Sequence, residues 1–472
     1  MKNVTAAQIA SIVNGQLVGN DVLVGPSVVL DSREAERGAL FIAIIGDRVD
    51  GHDYVTDAAS RGATAALVSR VVEAPVAQIL VDDVPAALTQ LGRYCVSVGL
   101  AHGMTVLAMT GSSGKTTTKD MLAQVLEPVG VTAAATGSRN SKLGLPITAT
   151  LVDDSTQFLV AEMGASKIGH IQWLCSIAPP TVSGVLNVGH AHLGEFGSQA
   201  AIAQAKGEIV EALPPSGWAV LNAEDPLVAA MTSRTTANIA WFCPSGQPPV
   251  GGDCWVGARQ VIVDATDRAS FQLVGHMPVG EFCHSVSLHT MGAHQVANAC
   301  AAAAFAACAG ASPQQIADGL NSATVRSHWR MEPHRLVGGA LLLNDAYNAN
   351  PDSVAMALDS MSRLTNARPG ASAVAVLADM LELGSAAPGA HETIGRQAAL
   401  AGADVVAVGE FAAQIVDGAR RAGGTGQALA RADVADWLLH HSYDVILIKG
   451  SRGIGMETVV NQVIEAVGEE AQ

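Results

Sequence analysis

The chain has 472 residues, of which 49% are hydrophobic, and this length is enough for about three domains of ~150 residues, each with a sizeable core. Lys and Arg number 27 against 43 Asp and Glu, a net charge of −16, which argues against a nucleic-acid partner. No apolar run reaches the ~20 residues of a membrane span. The seven cysteines show no C-x-x-C spacing, which fits reduced thiols in the cytoplasm.

The first 100 residues show short predicted strands and helices without a phosphate-binding loop. The tripeptide Asp31-Ser32-Arg33 follows an apolar run at Val28–Leu30. At the end of a strand, Ser32 and Arg33 can grip a diphosphate. Arg33 can equally pair with Asp31 at the surface, and the residues leave both interpretations open.

A phosphate-binding loop follows in the next part of the chain. The apolar run Val106–Met109 predicts a buried strand, and Thr117–Leu126 predicts a helix. Glycines in the turn between them let backbone N–H groups close around an anion at the start of the helix. The residues predicted to contact a nucleotide there are Gly111, Ser112, Ser113, Gly114, Lys115, Thr116 and Thr117.

Within this loop, Lys115 is expected to reach the β- and γ-phosphates, and the Thr116 hydroxyl is expected to bind Mg²⁺. The longer form of the motif has a glycine where this chain has Met109. A turn with a chance lysine is the alternative, but the flanking strand and helix favour nucleotide binding.

Three further residues of the central region carry possible chemistry. Glu162 ends the apolar strand Phe158–Ala161, where ligands of open α/β sheets bind, and it is the expected Mg²⁺ partner of the loop; a solvated acid is the alternative. His192 belongs to a His-x-His pair without a third ligand at metal spacing, so we reject zinc and expect a positioning group or Mg²⁺ neighbour. By spacing alone, Lys206 is a solvated helix lysine.

The rest of the central region adds a polar loop and an edge sheet. Asn140 lies in a glycine-rich loop expected near the nucleotide, and Asn298 opens an alanine-rich helix, where it can bond a base edge or bridge backbone. Strands at Gln260–Val263 and Phe271–Val274 predict an antiparallel patch at the sheet edge. We place a linker around Ser327–Pro333.

The last part of the chain alternates strands and helices and predicts a small Rossmann-like domain. It has no G-x-G-x-x-G, which argues against a dinucleotide. Its predicted strands are Ala340–Asn344, Ala373–Leu377, Val405–Val408 and Asp444–Ile448, and its distinctive loops at strand ends are Asp345–Pro351, Asp379–Gly384 and Lys449–Arg452. The predicted domains are therefore residues 1–100, 101–326 and 327–472.

Taken together, these pieces resemble the ATP-dependent Mur ligases of peptidoglycan synthesis, and among them the members that add D-alanyl-D-alanine. The resemblance covers essentially the whole chain. It rests on these segments in this order: Asp31–Arg33 with Asp50–Asp53, Thr110–Thr117, Ala161–Gly164, Ala191–Leu193, Ala205–Glu208, His294–Asn298, Asp345–Pro351 and Lys449–Arg452.

The resemblance implies three α/β domains: an N-terminal domain for the UDP part of the substrate, a central doubly wound ATPase domain, and a C-terminal Rossmann-like domain that closes on ATP and binds D-Ala-D-Ala. The implied substrate contacts are Ser32, Arg33 and Asn140. The implied metal ligands are Thr116 and Glu162 for one Mg²⁺, and His192 and Lys206, the lysine carbamylated by CO₂, for a second. The implied closure over adenine, ribose and γ-phosphate uses Asn298, Arg330, Asp345, Tyr347 and Asn348.

The implied activity is ligation of D-Ala-D-Ala to UDP-N-acetylmuramoyl-tripeptide through an acyl phosphate, by a cytoplasmic monomer. Lys115, Glu162, His192 and Lys206 form the implied catalytic set. A relative that adds the third amino acid is the nearest alternative, but such enzymes carry an Asp-Asn-Pro-Arg motif that this chain lacks. A nucleotide-dependent switch is the other alternative, and it leaves the third domain unexplained.

Overall fold

Three successive parts of the chain each build a mainly parallel sheet with helices packed on it, which confirms the predicted three-domain α/β architecture. This computed structural model describes residues 2, 4–46, 49–190, 193–278 and 280–470.

The N-terminal domain has a sheet in the order β2-β7-β6-β5-β4, in which β2 pairs antiparallel and the other neighbours are parallel. Its strands are β1 (Val4–Thr5), β2 (Gln16–Val18), β3 (Leu23–Val24), β4 (Val28–Val29), β5 (Leu40–Ile42), β6 (Ala65–Val68) and β7 (Ala77–Leu80). Its helices are α1 (Ala6–Ile12), α2 (Val55–Ser60) and α3 (Val84–Ala101). A short 3₁₀ turn, Ser32–Glu34, follows β4.

The central domain carries the largest sheet, in the order β16-β15-β14-β13-β12-β11-β8-β10-β9. Its strands are β8 (Thr105–Thr110), β9 (Thr132–Ala134), β10 (Phe158–Glu162), β11 (Val182–Val185), β12 (Trp218–Asn222), β13 (Asn238–Cys243), β14 (Trp255–Val263), β15 (Arg268–Met277) and β16 (Gly280–Met291). The segment from β9 to β14 is parallel, while β14, β15 and β16 pair antiparallel. The predicted antiparallel patch at the sheet edge is confirmed.

Helices cover both faces of this sheet because its parallel strands are buried on both sides. The central helices are α4 (Lys115–Leu126), α5 (Gly144–Ala149), α6 (His170–Cys175), α7 (Leu193–Phe196), α8 (Gln199–Glu211), α9 (Pro226–Ala229), α10 (Gln295–Cys308) and α11 (Pro313–Ser322). The strand β8 is flanked by β10 and β11, and α4 and the alanine-rich α10 share one core with it. The phosphate loop therefore follows an interior strand of the sheet.

The C-terminal domain has the strand order β17-β18-β22-β19-β20-β21. Its strands are β17 (Glu332–Arg335), β18 (Leu341–Asp345), β19 (Ala373–Ala378), β20 (Ala403–Val408), β21 (Gly426–Ala428) and β22 (Val445–Lys449), and its helices are α12 (Pro351–Asn366), α13 (Ala387–Leu400), α14 (Ala412–Arg421), α15 (Arg431–Leu439) and α16 (Glu457–Val467).

The two edge strands of this domain differ from the sequence prediction. Strand β17 begins inside the segment predicted as a linker, and β21 was not predicted. Both are short and carry Pro333 or Gly426, which disfavour strands locally. Pairing with β18 and β20 overrides that preference.

Candidate active site

The phosphate loop connects β8 to α4 and has a left-handed glycine at the start of the helix. Gly114 has φ +78° and precedes Lys115, the first helical residue. This backbone conformation favours glycine, and a Cβ added at Gly114 would lie 2.4 Å from Oδ1 of Asn298 and displace that side chain. Nζ of Lys115 donates to the carbonyl of Gly111 at 2.7 Å, and burial lowers the pKa of this lysine.

Asn187, just beyond β11, fixes the loop from the neighbouring strand. Its Oδ1 accepts hydrogen bonds from the backbone N–H groups of Ser112 and Ser113 at 2.9 and 3.0 Å. No role was predicted for Asn187 from the sequence. The available signal was a polar residue at the carboxyl end of a buried parallel strand, where such sheets bind ligands.

Glu162, at the end of β10, is the centre of a buried hydrogen-bond network. Its Oε2 accepts from the Thr116 hydroxyl at 2.8 Å, and its Oε1 accepts from Nδ2 of Asn140 at 2.6 Å and from Oγ of Ser138 at 2.9 Å. Glu162 is 4% exposed and Thr116 2%. Ser138 was not predicted from the sequence, because a serine in a polar loop carries no distinguishing signal.

This pair of oxygen donors fits Mg²⁺, which is usually bound by one or two carboxylates together with hydroxyl, water and phosphate oxygens. The residues that the structure describes contain no group of three or more His, Cys, Asp or Glu side chains able to hold a metal. The described residues therefore contain no such cluster that would hold a metal by protein side chains alone. Thr116 and Glu162 fit a metal ion that is also coordinated by a nucleotide.

The linker and the C-terminal domain complete the other side of the site. Nη2 of Arg330 donates to the Thr116 hydroxyl at 2.8 Å, and the guanidinium lies 4.0 Å from the centre of the Tyr347 ring. Arg330 stands between Trp329 and Met331, whose φ values of +62° and +50° lie in the left-handed region. Such values are strained for large side chains, so surrounding contacts must fix this segment.

Asp345, at the end of β18, provides one of these contacts. Its Oδ1 accepts from the backbone N–H of Met331 at 3.1 Å, and its Oδ2 pairs with Nζ of Lys449 at 2.5 Å. Lys449 also donates to the carbonyl of Asn348 at 2.8 Å. Lys449 opens a loop that the sequence singled out, but the ion pair spans strands β18 and β22 and could not be read from spacing.

These elements surround one cavity of about 360 Å³ between the central and C-terminal domains. Of the residues predicted from the sequence, those that line it are Ser112, Ser113, Gly114, Lys115, Thr116, Thr117, Asn140, Glu162, Asn298, Arg330, Asp345, Tyr347 and Asn348. All the predicted nucleotide residues except Gly111 thus line one cavity, although their individual roles remain predictions.

Lys206 lies in α8 outside the cavity lining, and its environment differs from the solvated lysine that its spacing indicated. It is 5% exposed, and burial, with the nearby charge of Lys115, lowers its pKa well below the ordinary value. The solvated interpretation is therefore wrong. His192, its predicted metal partner, lies outside the described residues.

Ser32 and Arg33 also lie outside the cavity lining. Arg33 is exposed and pairs with Asp31 at 2.6 Å, the alternative that the sequence left open, and this contact lowers the pKa of Asp31 to about 2. Ser32 is buried. Glu34, the residue after Arg33, lies 3.6 Å from Arg139, which brings this turn close to the loop that carries Asn140.

Comparison with known proteins shows that all three parts of the chain match one family. Residues 27–94 match the family model described as "Mur ligase family, catalytic domain", residues 109–306 match "Mur ligase middle domain", and residues 329–452 match "Mur ligase, glutamate ligase domain". A UDP-N-acetylmuramoyl-tripeptide--D-alanyl-D-alanine ligase of Mycobacterium tuberculosis is 38% identical, and the alignment covers 98% of each chain.

The chain belongs to the Mur ligase family. A ligase of the same name from Escherichia coli is 34% identical over 98% of this chain and 99% of its own. The crystal structure of MurF from Acinetobacter baumannii superposes with a TM-score of 0.80 at 33% identity, over 98% and 99% of the two chains. MurF from Thermotoga maritima in complex with ADP gives 0.72 at 27% identity, over 93% and 97%.

The described helices of this Mur ligase include none that is long and apolar enough to cross a membrane.

Proposed function

We propose that this Mur ligase joins D-alanyl-D-alanine to UDP-N-acetylmuramoyl-tripeptide with consumption of ATP, the last cytoplasmic step in making the peptidoglycan precursor. One observation carries the proposal: a phosphate loop, a buried acid and residues of a third domain surround a single cavity. Full-length similarity to ligases named for this reaction supports the choice of substrates.

ATP is assigned to the phosphate loop, with its triphosphate over residues 111–117 and its nucleoside towards the linker and C-terminal domain. The helix start at Lys115 supplies N–H groups and the positive end of a dipole for an anion. Asn298, Arg330, Asp345, Tyr347 and Asn348 are assigned to the nucleotide. The ADP complex of the Thermotoga relative supports the type of nucleotide.

The acyl substrate is assigned to the side of the cavity formed by the loop of Asn140, with its UDP end towards Ser32 and Arg33. The short distance between Glu34 and Arg139 supports one continuous path between these regions. For Arg33 to bind a diphosphate, its exposed ion pair with Asp31 must open. Solvent screens an exposed ion pair, so opening it costs little.

The reaction follows from placing the terminal carboxylate of the tripeptide beside the γ-phosphate. A carboxylate oxygen attacks the γ-phosphorus, and the bond from that phosphorus to the β–γ bridging oxygen breaks. ADP departs, and the substrate carboxylate has become an acyl phosphate. Lys115 and the loop N–H groups neutralise the charge on the transferring phosphoryl group. The neutral amine of D-Ala-D-Ala then attacks the acyl carbon, and phosphate leaves from the tetrahedral intermediate as the amine loses a proton.

Thr116 and Glu162 would hold one Mg²⁺, and His192 and Lys206 a second. Bound Mg²⁺ supplies charge neutralisation on the phosphate oxygens. The lowered pKa of Lys206 increases the fraction of free amine at neutral pH, and the free amine is the form that adds to CO₂ to give a carbamate. Burial thus supports carbamylation of this lysine.

We also propose that the enzyme acts in the cytoplasm as a monomer. All seven cysteines are free, as a reducing compartment predicts. The residues assigned to both substrates come from one chain, so a partner subunit is not needed to complete the site.

Phosphate release from ATP tests the proposal, measured with UDP-N-acetylmuramoyl-tripeptide in the presence and absence of D-Ala-D-Ala. We expect release that needs both substrates, a UDP-linked pentapeptide by mass, and loss of turnover in Lys115→Ala. Release that instead needs a free diamino acid and the UDP-dipeptide would move the enzyme to the preceding ligation. Release with neither acceptor, or a Lys115→Ala variant at near-normal rate, would contradict the proposal.

A further inference from the structure

Lys119 is a buried lysine that the proposed chemistry does not use. It lies in α4, one turn beyond the phosphate loop, and is 1% exposed. Its Nζ donates to the carbonyls of Ala135 and of Gly137, the latter at 3.1 Å, and pairs with Oδ1 of Asp120 at 2.7 Å. A buried charge needs such partners, so these contacts fix the side chain and its partners together.

The two carbonyls belong to a segment that holds Glu162. Residues 135–140, here called the acyl loop, place Ser138 and Asn140 so that both donate to Oε1 of Glu162. Lys119 therefore fixes the backbone immediately before the side chains that orient the predicted metal ligand and contact the acyl substrate.

Asp120 extends the same contact to the linker between the central and C-terminal domains. Its Oδ2 accepts a hydrogen bond from Oγ of Ser327 at 2.6 Å. One turn further along α4, the side-chain amide of Gln124 exchanges hydrogen bonds with the backbone of Thr324, both at 3.0 Å. Residues 324–330 belong to the connection between α11 and β17, which overlaps the predicted linker and is called the linker from here on. They therefore lie along one face of the helix that starts at the phosphate loop.

We propose that Lys119 and Asp120 form a positioning pair that ties the acyl loop to the linker, so that acyl-substrate binding and the placement of the C-terminal domain depend on one buried ion pair. The proposal rests on the proposed function, because that function assigns the acyl substrate to this loop. Neither residue touches a reacting atom. Their loss acts through Ser138, Asn140 and the linker.

The pair predicts a specific kinetic change. Without Lys119 the acyl loop loses hydrogen bonds from a charged donor, each worth about tenfold or more in an equilibrium constant. We expect the KM for the UDP-tripeptide to rise at least about tenfold, whereas the Kd for ADP without metal, which reports on the phosphate loop, stays within about twofold.

Lys119→Met alone leaves Asp120 as an uncompensated buried charge, so the main test uses the charge-balanced variant K119M/D120N. Gln124→Ala is the matched control, because it removes contacts to the same linker from the same helix without touching the acyl loop. We expect the KM change in K119M/D120N and not in Q124A. Hydrogen exchange of the amides at 135–140 should also be faster in K119M/D120N only.

A folded K119M/D120N variant with wild-type KM for the UDP-tripeptide and wild-type exchange would overturn the proposal. Ser327→Ala probes the pair from the linker side and leaves the Lys119–Asp120 ion pair in place, so it remains informative if the double variant does not fold. Faster exchange at 135–140 in S327A supports the tie, and unchanged exchange refutes it. Hydrogen exchange needs no substrate, so it tests the link between the acyl loop and the linker independently of activity. A wild-type protein without ligase activity would contradict the proposed function, and the exchange result would still support or refute this link.

Discussion

Replacing Gly114 by alanine tests whether the phosphate loop needs its observed geometry to bind a nucleotide. A left-handed backbone costs an L-residue about 1–2 kcal/mol. The added Cβ would lie 2.4 Å from Oδ1 of Asn298, and the required shift weakens that side chain's contacts to Thr118 and Gln295, at 3.3 and 2.7 Å. If the shift removes about half of the roughly 1 kcal/mol that each of these two hydrogen bonds contributes, the total comes to about 2–3 kcal/mol.

The free loop can relax away from this strain, whereas the loop closed around phosphate cannot, so the cost falls on binding. We expect G114A to weaken ADP binding roughly 30- to 150-fold, measured by calorimetry on a variant with wild-type circular dichroism. Gly103→Ala is the matched control, because Gly103 has φ +85° and no atom within 4 Å of the added Cβ. G103A should bind ADP as the wild type does. ADP binding by G114A within twofold of wild type would refute the reasoning.

Three further predictions concern single side chains. Lys206→Ala should lose turnover and recover part of it with acetate, which replaces the carbamate's carboxylate; full activity without rescue would remove Lys206 from the site. Cys283 is exposed, so a thiol reagent at neutral pH should label it rapidly. The buried thiols should react slowly, because burial raises their pKa, for example that of Cys175 to about 12. Rapid labelling of the buried thiols, read by peptide mass, would contradict this. The fully buried Asp267 carboxylate of the central domain lies 2.6 Å from Arg363 of the C-terminal domain. Arg363→Met leaves this carboxylate without its partner and should destabilise the contact between the two domains by about 3 kcal/mol. An unchanged thermal midpoint would contradict the assigned ion pair.

Local sequence signals were sufficient where one short segment carries both the structure and the chemistry. The phosphate loop is of this kind, since a buried strand, glycines and a helix stand next to each other in the chain. Glu162 could be placed because the carboxyl end of a parallel strand is where such sheets bind ligands. Residues 112–117 of this loop and Glu162 line one cavity.

Local signals failed where a side chain's environment comes from distant segments. Helical spacing indicated a solvated lysine at Lys206 and assigned nothing to Lys119, yet both are buried. For Lys119 the burial depends on the acyl loop and, through Asp120, on a linker about 200 residues away. Asn187 acts on a loop some 75 residues earlier. No sequence pattern within a single helix or strand identifies partners that are so distant in the chain.

The most direct test of the central claim labels the terminal carboxylate of the UDP-tripeptide with oxygen-18 and follows the label during ligation. An acyl phosphate requires one carboxylate oxygen to leave with the phosphate. The account predicts that each released phosphate carries one labelled oxygen from a fully labelled carboxylate, in step with formation of the UDP-linked pentapeptide. Unlabelled phosphate released together with pentapeptide would show that the carboxylate does not attack the γ-phosphate and would contradict the account.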